Sequence, residues 1–73
     1  MLERDAERLA ERVRTLRRRK GWSQEQLAAE AGVGRASVAR IELATGDVSL
    51  RVMGQLAQAL GVHTDQLLRS DDE

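Results

Sequence analysis

Two arginines, Arg35 and Arg40, carry the clearest chemical signal in this 73-residue chain. They lie in a short segment whose apolar residues, Val38 and Ile41, are spaced as on one face of a helix. An arginine at the start of a helix in the major groove can donate two hydrogen bonds to a guanine, which discriminates between bases by about 1–3 kcal/mol. The segment therefore favours sequence-specific contact with duplex DNA.

A second group of basic residues forms the continuous run 17–20. Such a run can contact DNA phosphates, and it can equally stabilise a helix C-terminus, where cations interact favourably with the helix dipole. Both interpretations stand, with Arg18 and Arg19 as candidate phosphate contacts. Residues 14–40 hold seven basic and two acidic residues, a net charge of +5, although the whole chain is formally neutral. Positive charge is thus concentrated in the middle of the chain.

Few residues are suited to catalysis or metal binding. The chain has no cysteine, and His63 is its only histidine. The sequence shows no nucleophile paired with a base and no phosphate-binding glycine loop. Trp22, the only aromatic residue, could stack on bases, but its place before a helix cap favours the core. We expect no enzyme, no metal site and no cofactor.

Good helix formers dominate the composition, proline is absent, and the lack of phenylalanine and tyrosine argues against a β-rich fold. We predict a compact all-α domain of five helices. They span about residues 3–20, 24–31, 35–43, 50–60 and a short fifth segment that begins at Thr64. The domain fills residues 1–73, with its core at about 9–68, an extension of helix 1 at 1–8 and a frayed acidic tail at 70–73.

Apolar residues recur every three or four positions in the first and fourth helices, which is the period of a buried helical face. In the first helix they are Leu2, Ala6, Leu9, Val13 and Leu16. In the fourth they are Leu50, Met53, Leu56, Ala57 and Leu60. We expect both stripes to enter the core. Charges interrupt every apolar stretch, so we expect neither a signal peptide nor a membrane span, and a cytoplasmic location.

The second and third helices have the local signals of a helix-turn-helix motif. Ser23 and Gln26 have the spacing of a capping box, and Trp22 and Leu27 that of a hydrophobic staple. Gly32 permits the positive φ that a tight turn requires. Two short helices joined in this way are typical of the motif, whose second helix lies in the major groove and reads base edges with its N-terminal residues.

Longer segments resemble the lambda-repressor/Cro-like (XRE) helix-turn-helix family. The matching segments are residues 23–33 (SQEQLAAEAGV), 38–42 (VARIE), 56–62 (LAQALGV) and 66–68 (QLL). They extend the resemblance over about residues 9–68. Small stand-alone members of this family include the controller proteins of restriction–modification systems, Cro-type phage repressors and some antitoxins.

The resemblance implies a DNA contact for several residues of the third helix. Arg35, Ala36 and Arg40 match base-reading positions of the family. Ala36 could offer only an apolar contact, for instance to a thymine methyl group. Ser37 matches a position that contacts a base or a phosphate. The expected interface therefore combines two long cationic side chains with two small ones.

The resemblance also implies contacts outside the third helix. Gln24 matches a position that touches phosphate or orients a base-reading side chain, and Thr45 lies in a loop that contacts phosphate. Arg17 and Glu42 match an arginine and a glutamate that form a structural ion pair. We therefore expect Arg17 to stabilise the fold rather than to contact DNA.

The sequence departs from the family pattern in two places. The loop after the third helix usually contains a glycine and a proline where this chain has Ala44 and Val48. The extension at residues 1–8 is longer than the family requires, and it could serve dimerisation or be solvated. These departures concern the neighbourhood of Thr45 and the free end of the first helix.

The sequence predicts a transcription regulator, similar to controller proteins or Cro-type repressors, that binds a pseudo-palindromic double-stranded DNA operator as a homodimer. Val62, Leu67 and Leu68 are either core residues or dimer contacts. The alternative function is an antitoxin or a bridging module that binds a protein partner with the same fold. A third possibility is a DNA-binding domain of a longer regulator.

Overall fold

The computed structural model describes residues 2–68, and four α-helices followed by one 3₁₀ helix occur within that range. The helices are α1 (Glu3–Arg19), α2 (Gln24–Ala31), α3 (Arg35–Glu42) and α4 (Leu50–Leu60), and the 3₁₀ helix is Thr64–Leu68. No strand is present between residues 2 and 68, and the predicted all-α class is confirmed. The predicted frayed tail at 70–73 lies outside the described residues.

One cluster of buried apolar side chains joins all of these elements. Its fully buried members come from every helix and from the 3₁₀ helix: Leu9, Val13, Leu27, Val38, Leu56 and Leu67. The α3 helix packs against α1 and α2, whereas α4 packs against α2 and the 3₁₀ helix. Burying each such side chain contributes about 1.5–3 kcal/mol. Only the face of α3 that carries Val38 and Ile41 is packed in the core.

The start of α2 confirms the predicted capping box. The Ser23 Oγ accepts a hydrogen bond from the Gln26 backbone N–H at 3.1 Å, and the Gln26 Oε1 accepts one from the Ser23 N–H at 2.7 Å. Trp22 packs half-buried against the cluster that contains Leu27, and Lys20 Nζ lies 5.2 Å from the centre of its ring. Trp22 is therefore a core residue and not an exposed stacking platform.

The short fifth element is a 3₁₀ helix, so the described residues contain four α-helices where the sequence predicted five helices. Residues 64–68 form a 3₁₀ helix, and the packing of the fully buried Leu67 holds this element against the core. The element begins at Thr64, as expected, and the His63 N–H before it donates a cap-like hydrogen bond to Gln66 Oε1 at 2.7 Å. Val62 and Leu68 pack partly buried against the core.

Two leucines of the predicted apolar stripes, Leu2 and Leu50, remain exposed, and so does Leu43, which follows α3. Leu2 is 74%, Leu43 72% and Leu50 80% accessible to solvent. Each lies at the end of a helix. The apolar spacing in the sequence extends to these positions, but no other element packs against the terminal turn. The buried stripe of α4 accordingly begins at Met53, and that of α1 becomes fully buried at Leu9.

All four α-helices end with the same backbone turn, in which one residue adopts a left-handed conformation. In α1, α2 and α4 that residue is a glycine with φ between 71° and 73°, but after α3 it is Ala44, with φ 58°. The Thr45 N–H donates to the Arg40 carbonyl and the Ala44 N–H to the Ile41 carbonyl, both at 3.0 Å, which is the Schellman pattern. Alanine is strained here because its Cβ crowds the carbonyl in this region.

We therefore predict that Ala44→Gly stabilises the protein by about 1 kcal/mol, since relief of the strain exceeds the added flexibility of the unfolded chain. The thermal midpoint should rise by about 4–8 °C, measured by circular dichroism. The matched control is Ala29→Gly on the exposed face of α2, which should lower stability by about 1 kcal/mol. A lower midpoint for Ala44→Gly would contradict the strain at this residue.

Candidate nucleic-acid interface

The α3 helix presents the predicted base-reading residues on the face opposite the core. Successive residues of an α-helix are rotated by about 100°, so Ala36 projects away from the buried Val38. Arg35, Ala36 and Arg40 are exposed, and Ser37 is half-buried. The structure thus brings these four residues together on one short helix with their outward side uncovered. This is the geometry that a helix requires to enter a DNA groove.

The N-terminus of α2 lies against the C-terminal end of α3 through Gln24. The Gln24 Nε2 donates a hydrogen bond to the Glu42 Oε1 at 3.2 Å. Gln24 is half-buried and occupies the first position of α2. The predicted interface residue Gln24 is therefore tied directly to the helix that carries Arg35 and Arg40.

The predicted ion pair between Arg17 and Glu42 is confirmed. The Arg17 Nε donates to Glu42 Oε2 at 2.6 Å, and Arg17 Nη2 donates to Glu42 Oε1 at 2.9 Å, which makes a two-pronged contact. Arg17 Nη1 also donates to the Trp22 carbonyl at 2.8 Å. Sequence reasoning missed the contact of Arg14, whose Nη1 donates to the Glu42 backbone carbonyl at 3.2 Å, as well as the hydrogen bond of Gln24. Helical spacing places Arg14 one turn from Arg17, which is the signal that could have indicated it.

The contacts of Glu42 lower the pKa of its carboxyl. Burial by itself raises the pKa, but the hydrogen bonds from Arg17 and Gln24, together with the charges of Arg17 and Arg14, outweigh it. In Arg17 the hydrogen bond to Glu42 raises the pKa of the guanidinium and prevails over burial. Both groups therefore stay ionised at neutral pH, although Glu42 is only 5% exposed.

Thr45 lies exposed in the turn that ends α3. Its Oγ1 donates to the Arg40 backbone carbonyl at 3.1 Å, alongside the hydrogen bond from its own N–H. A groove of about 270 Å³ lies beside it, between the second half of α3 and the start of α4. Ser37, Arg40 and Ser49 contribute to its polar lining. The groove continues the outward face of α3, and no signal in the sequence indicated it.

The basic run at the end of α1 divides into two parts. Arg17 turns inward to Glu42, whereas Arg18, Arg19 and Lys20 are exposed. The run ends only four residues before Gln24, so its exposed cations lie near the N-terminus of α2 in sequence. Three residues of the run, Arg18, Arg19 and Lys20, therefore remain candidates for either contacting DNA phosphates or stabilising the C-terminus of α1.

The sequence matches the helix-turn-helix family model over residues 13–67, which is most of the chain. The chain belongs to the XRE-type helix-turn-helix family. This family consists of DNA-binding transcription regulators, a non-enzymatic group. The resemblance to this family that the sequence indicated is confirmed. The helix-turn-helix motif predicted from the sequence consists of α2 and α3.

Individual members of the family are similar over nearly the whole chain. A Neisseria hypothetical transcription factor from Neisseria meningitidis serogroup B is 40% identical over 65 residues, which cover 89% of this chain and 61% of that protein. This chain therefore spans less than two thirds of that relative. A crystal structure of the hypothetical transcription factor NHTF from Neisseria superposes with a TM-score of 0.90 and 36% identity, covering 94% of this chain and 78% of the other.

Two other solved structures have the same fold. The restriction-modification controller protein C.AhdI from Aeromonas hydrophila is 38% identical, with a TM-score of 0.81 and coverage of 86% of this chain and 96% of that one. A SinR protein/SinI protein complex contains a chain that is 27% identical, with a TM-score of 0.79 and coverage of 85% of this chain and 61% of that one.

Among residues 2–68, no helix is long and apolar enough to span a membrane.

We predict that Glu42→Ala lowers the free energy of unfolding by about 3 kcal/mol, because it leaves the Arg17 side chain, which is only 12% exposed, without its carboxylate partner. The thermal midpoint should fall by about 12 °C or more. The matched control is Glu30→Ala, since Glu30 is an exposed glutamate on α2 and should change stability by less than about 0.5 kcal/mol. Equal effects of the two substitutions would show that the ion pair does not stabilise the fold.

A pH dependence follows from the lowered pKa of Glu42. A carboxyl with a lower pKa in the folded state contributes full stability above its unfolded pKa of about 4.3 and loses it as the pH falls through the folded pKa. The difference in unfolding free energy between the wild type and Glu42→Gln should therefore be largest near pH 7. It should shrink below about pH 4.5. Urea unfolding of both proteins at a series of pH values measures this difference in free energy. A difference that is constant with pH would contradict the lowered pKa of Glu42.

Proposed function

We propose that this chain binds duplex DNA sequence-specifically as a transcription regulator, with α3 in the major groove. The observation that carries the proposal is the outward face of α3, on which Arg35, Ala36 and Arg40 are exposed while Val38 and Ile41 anchor the helix in the core. Arg35 and Arg40 can each donate two hydrogen bonds to guanine, and Ala36 can contact a thymine methyl group. Ser37 can contact a base or a phosphate at the edge of this face.

Phosphate contacts supply the rest of the interface in this proposal. Gln24 and Thr45 lie at the two ends of the helix-turn-helix unit, and Arg18 and Arg19 are exposed at the end of α1. The excess of basic residues between positions 14 and 40 favours binding to a polyanion even though the chain is neutral overall. Such contacts set the position of the protein on DNA, whereas the α3 side chains specify the sequence.

The protein acts as a homodimer on a pseudo-palindromic operator in this proposal. Helix-turn-helix dimers bind half-sites whose centres are about 34 Å apart, one turn of DNA. The domain measures 27 × 24 × 18 Å, so two copies side by side can place their α3 helices at about that separation. The similarity to a controller protein and to transcription factors supports a transcription regulator.

A second candidate function is binding to a protein partner, as in an antitoxin or a bridging module. The exposed side chains of Leu2, Leu43 and Leu50 favour it, because large apolar residues on a surface often mark contacts between proteins. One structural neighbour of this chain comes from a complex of two proteins, SinR and SinI. Co-purification of the native chain with a second protein would support this function.

Selection from a random duplex DNA library at about 150 mM salt tests the proposed function, since this salt concentration weakens non-specific phosphate binding. Enrichment of an inverted repeat is the expected result. It would establish a dimeric, sequence-specific regulator and provide the operator. If the folded protein enriches no sequence, the proposal is wrong and the search turns to a protein partner.

We predict that Arg35→Ala weakens binding to the selected operator by about 10- to 100-fold and relaxes the preference at one base pair in each half-site. Fluorescence anisotropy with the operator and its single-base variants measures both effects. The matched control is Arg4→Ala, since Arg4 is an exposed arginine near the start of α1 and should leave affinity and specificity nearly unchanged. An equal loss on every sequence would show that Arg35 contacts phosphate instead of a base.

A further inference from the structure

The buried ion pair and the proposed DNA interface share one side chain, that of Glu42. Its carboxylate accepts two hydrogen bonds from Arg17 and a third from the Gln24 amide. Arg17 also donates to the backbone carbonyl of Trp22, two residues before Gln24. The start of α2 is thus fixed by its backbone at Trp22 and by its side chain at Gln24. The Gln24 contact is made directly with the Glu42 carboxylate, and the Trp22 contact is made through Arg17, which binds the same carboxylate.

The hydrogen bond to Glu42 determines which way the Gln24 amide is turned. An ionised carboxylate is an acceptor only, whereas a primary amide carries two N–H donors and one carbonyl acceptor. The amide must therefore direct its nitrogen toward Glu42. Among residues 2–68, the Gln24 side chain forms no second hydrogen bond, so its other N–H remains available. A DNA phosphate, which has only acceptor oxygens, fits that free donor.

We propose that Glu42 is a positioning residue for DNA binding, which holds the Gln24 amide so that its free N–H is presented to a DNA phosphate. This inference rests on the proposed function. Glu42 does not touch DNA in this arrangement, because it is buried beneath Arg17 and Gln24. A glutamine that is already ordered before binding does not lose side-chain freedom when the complex forms, and this favours affinity.

A double-mutant cycle tests the proposal with the full chain and its selected operator. The variants are Gln24→Ala, Glu42→Gln and the combination, with affinities measured at low temperature, where circular dichroism shows each protein to be folded. Gln24→Ala and Glu42→Gln should each weaken binding by about 3- to 10-fold, the range for the ordering of one long side chain. The affinity of the combined variant for the operator should equal that of whichever single variant binds less tightly. Losses that multiply would overturn the proposal.

The matched control pairs Glu42→Gln with Arg35→Ala, which removes a base contact on the other side of α3. These two losses should multiply, because Arg35 does not contact Glu42. If Glu42→Gln is coupled to Arg35 as strongly as to Gln24, it loosens the whole fold and the positioning function is wrong. If Arg35→Ala also has no effect on binding, the proposed function itself fails. The two failures are therefore distinguishable.

A measurement on the wild-type protein keeps the proposal testable if Glu42→Gln does not fold. In ¹H–¹⁵N spectra, one of the two side-chain amide protons of Gln24 should be shifted downfield by the Glu42 carboxylate before DNA is added. Adding operator DNA should shift the second proton and leave the first in place. Loss of the first shift on binding, or no change of the second, would overturn the proposal.

Discussion

The carboxylate of Glu42 is the point at which polar contacts from α1 and α2 meet the end of α3. Two side chains reach the carboxylate, and Arg14 reaches the carbonyl of the same residue. Removing such a charge from water costs nearly as much as the ion pair returns, so its net contribution is modest while both partners are present. What the contact specifies is geometry. Apolar packing is tolerant of small rotations, but a two-pronged hydrogen bond is directional and fixes how α2 and α3 are placed.

Local signals in the sequence were sufficient for most of the fold. The capping box of Ser23 and Gln26, and glycines at 21, 32 and 61, depend on residues within one turn of each other, so the sequence alone indicates them. The Arg17–Glu42 pair is 25 residues apart in sequence and could be predicted only through family resemblance. Similarly, the exposure of Arg35, Ala36 and Arg40 followed from the helical period, because Val38 and Ile41 identify the opposite face.

Features that depend on the end of an element could not be predicted from periodicity. Leu50 continues the apolar stripe of α4, but it lies in the first turn, where no other helix covers it. The last described element buries Leu67, but over so short a segment the spacing of apolar residues does not distinguish a 3₁₀ helix from an α-helix. The Gln24–Glu42 hydrogen bond depends on how two helices cross, and composition carries no information about that angle. The family pattern placed a glycine where Ala44 stands, and only the backbone shows that alanine takes the same conformation.

The division of α3 into an anchored face and an exposed face also bears on how such a protein evolves. Ala36 lies in the middle of the exposed face and contributes nothing to the buried cluster. A substitution there by any residue other than glycine or proline changes the stability of the fold by about 0.5 kcal/mol or less, as is usual at surface positions. New side chains at this residue are therefore open to natural selection at little cost in folding. Under the proposed function, in which Ala36 contacts a base, a gene duplicate could acquire a different DNA target in a single step while retaining the same scaffold.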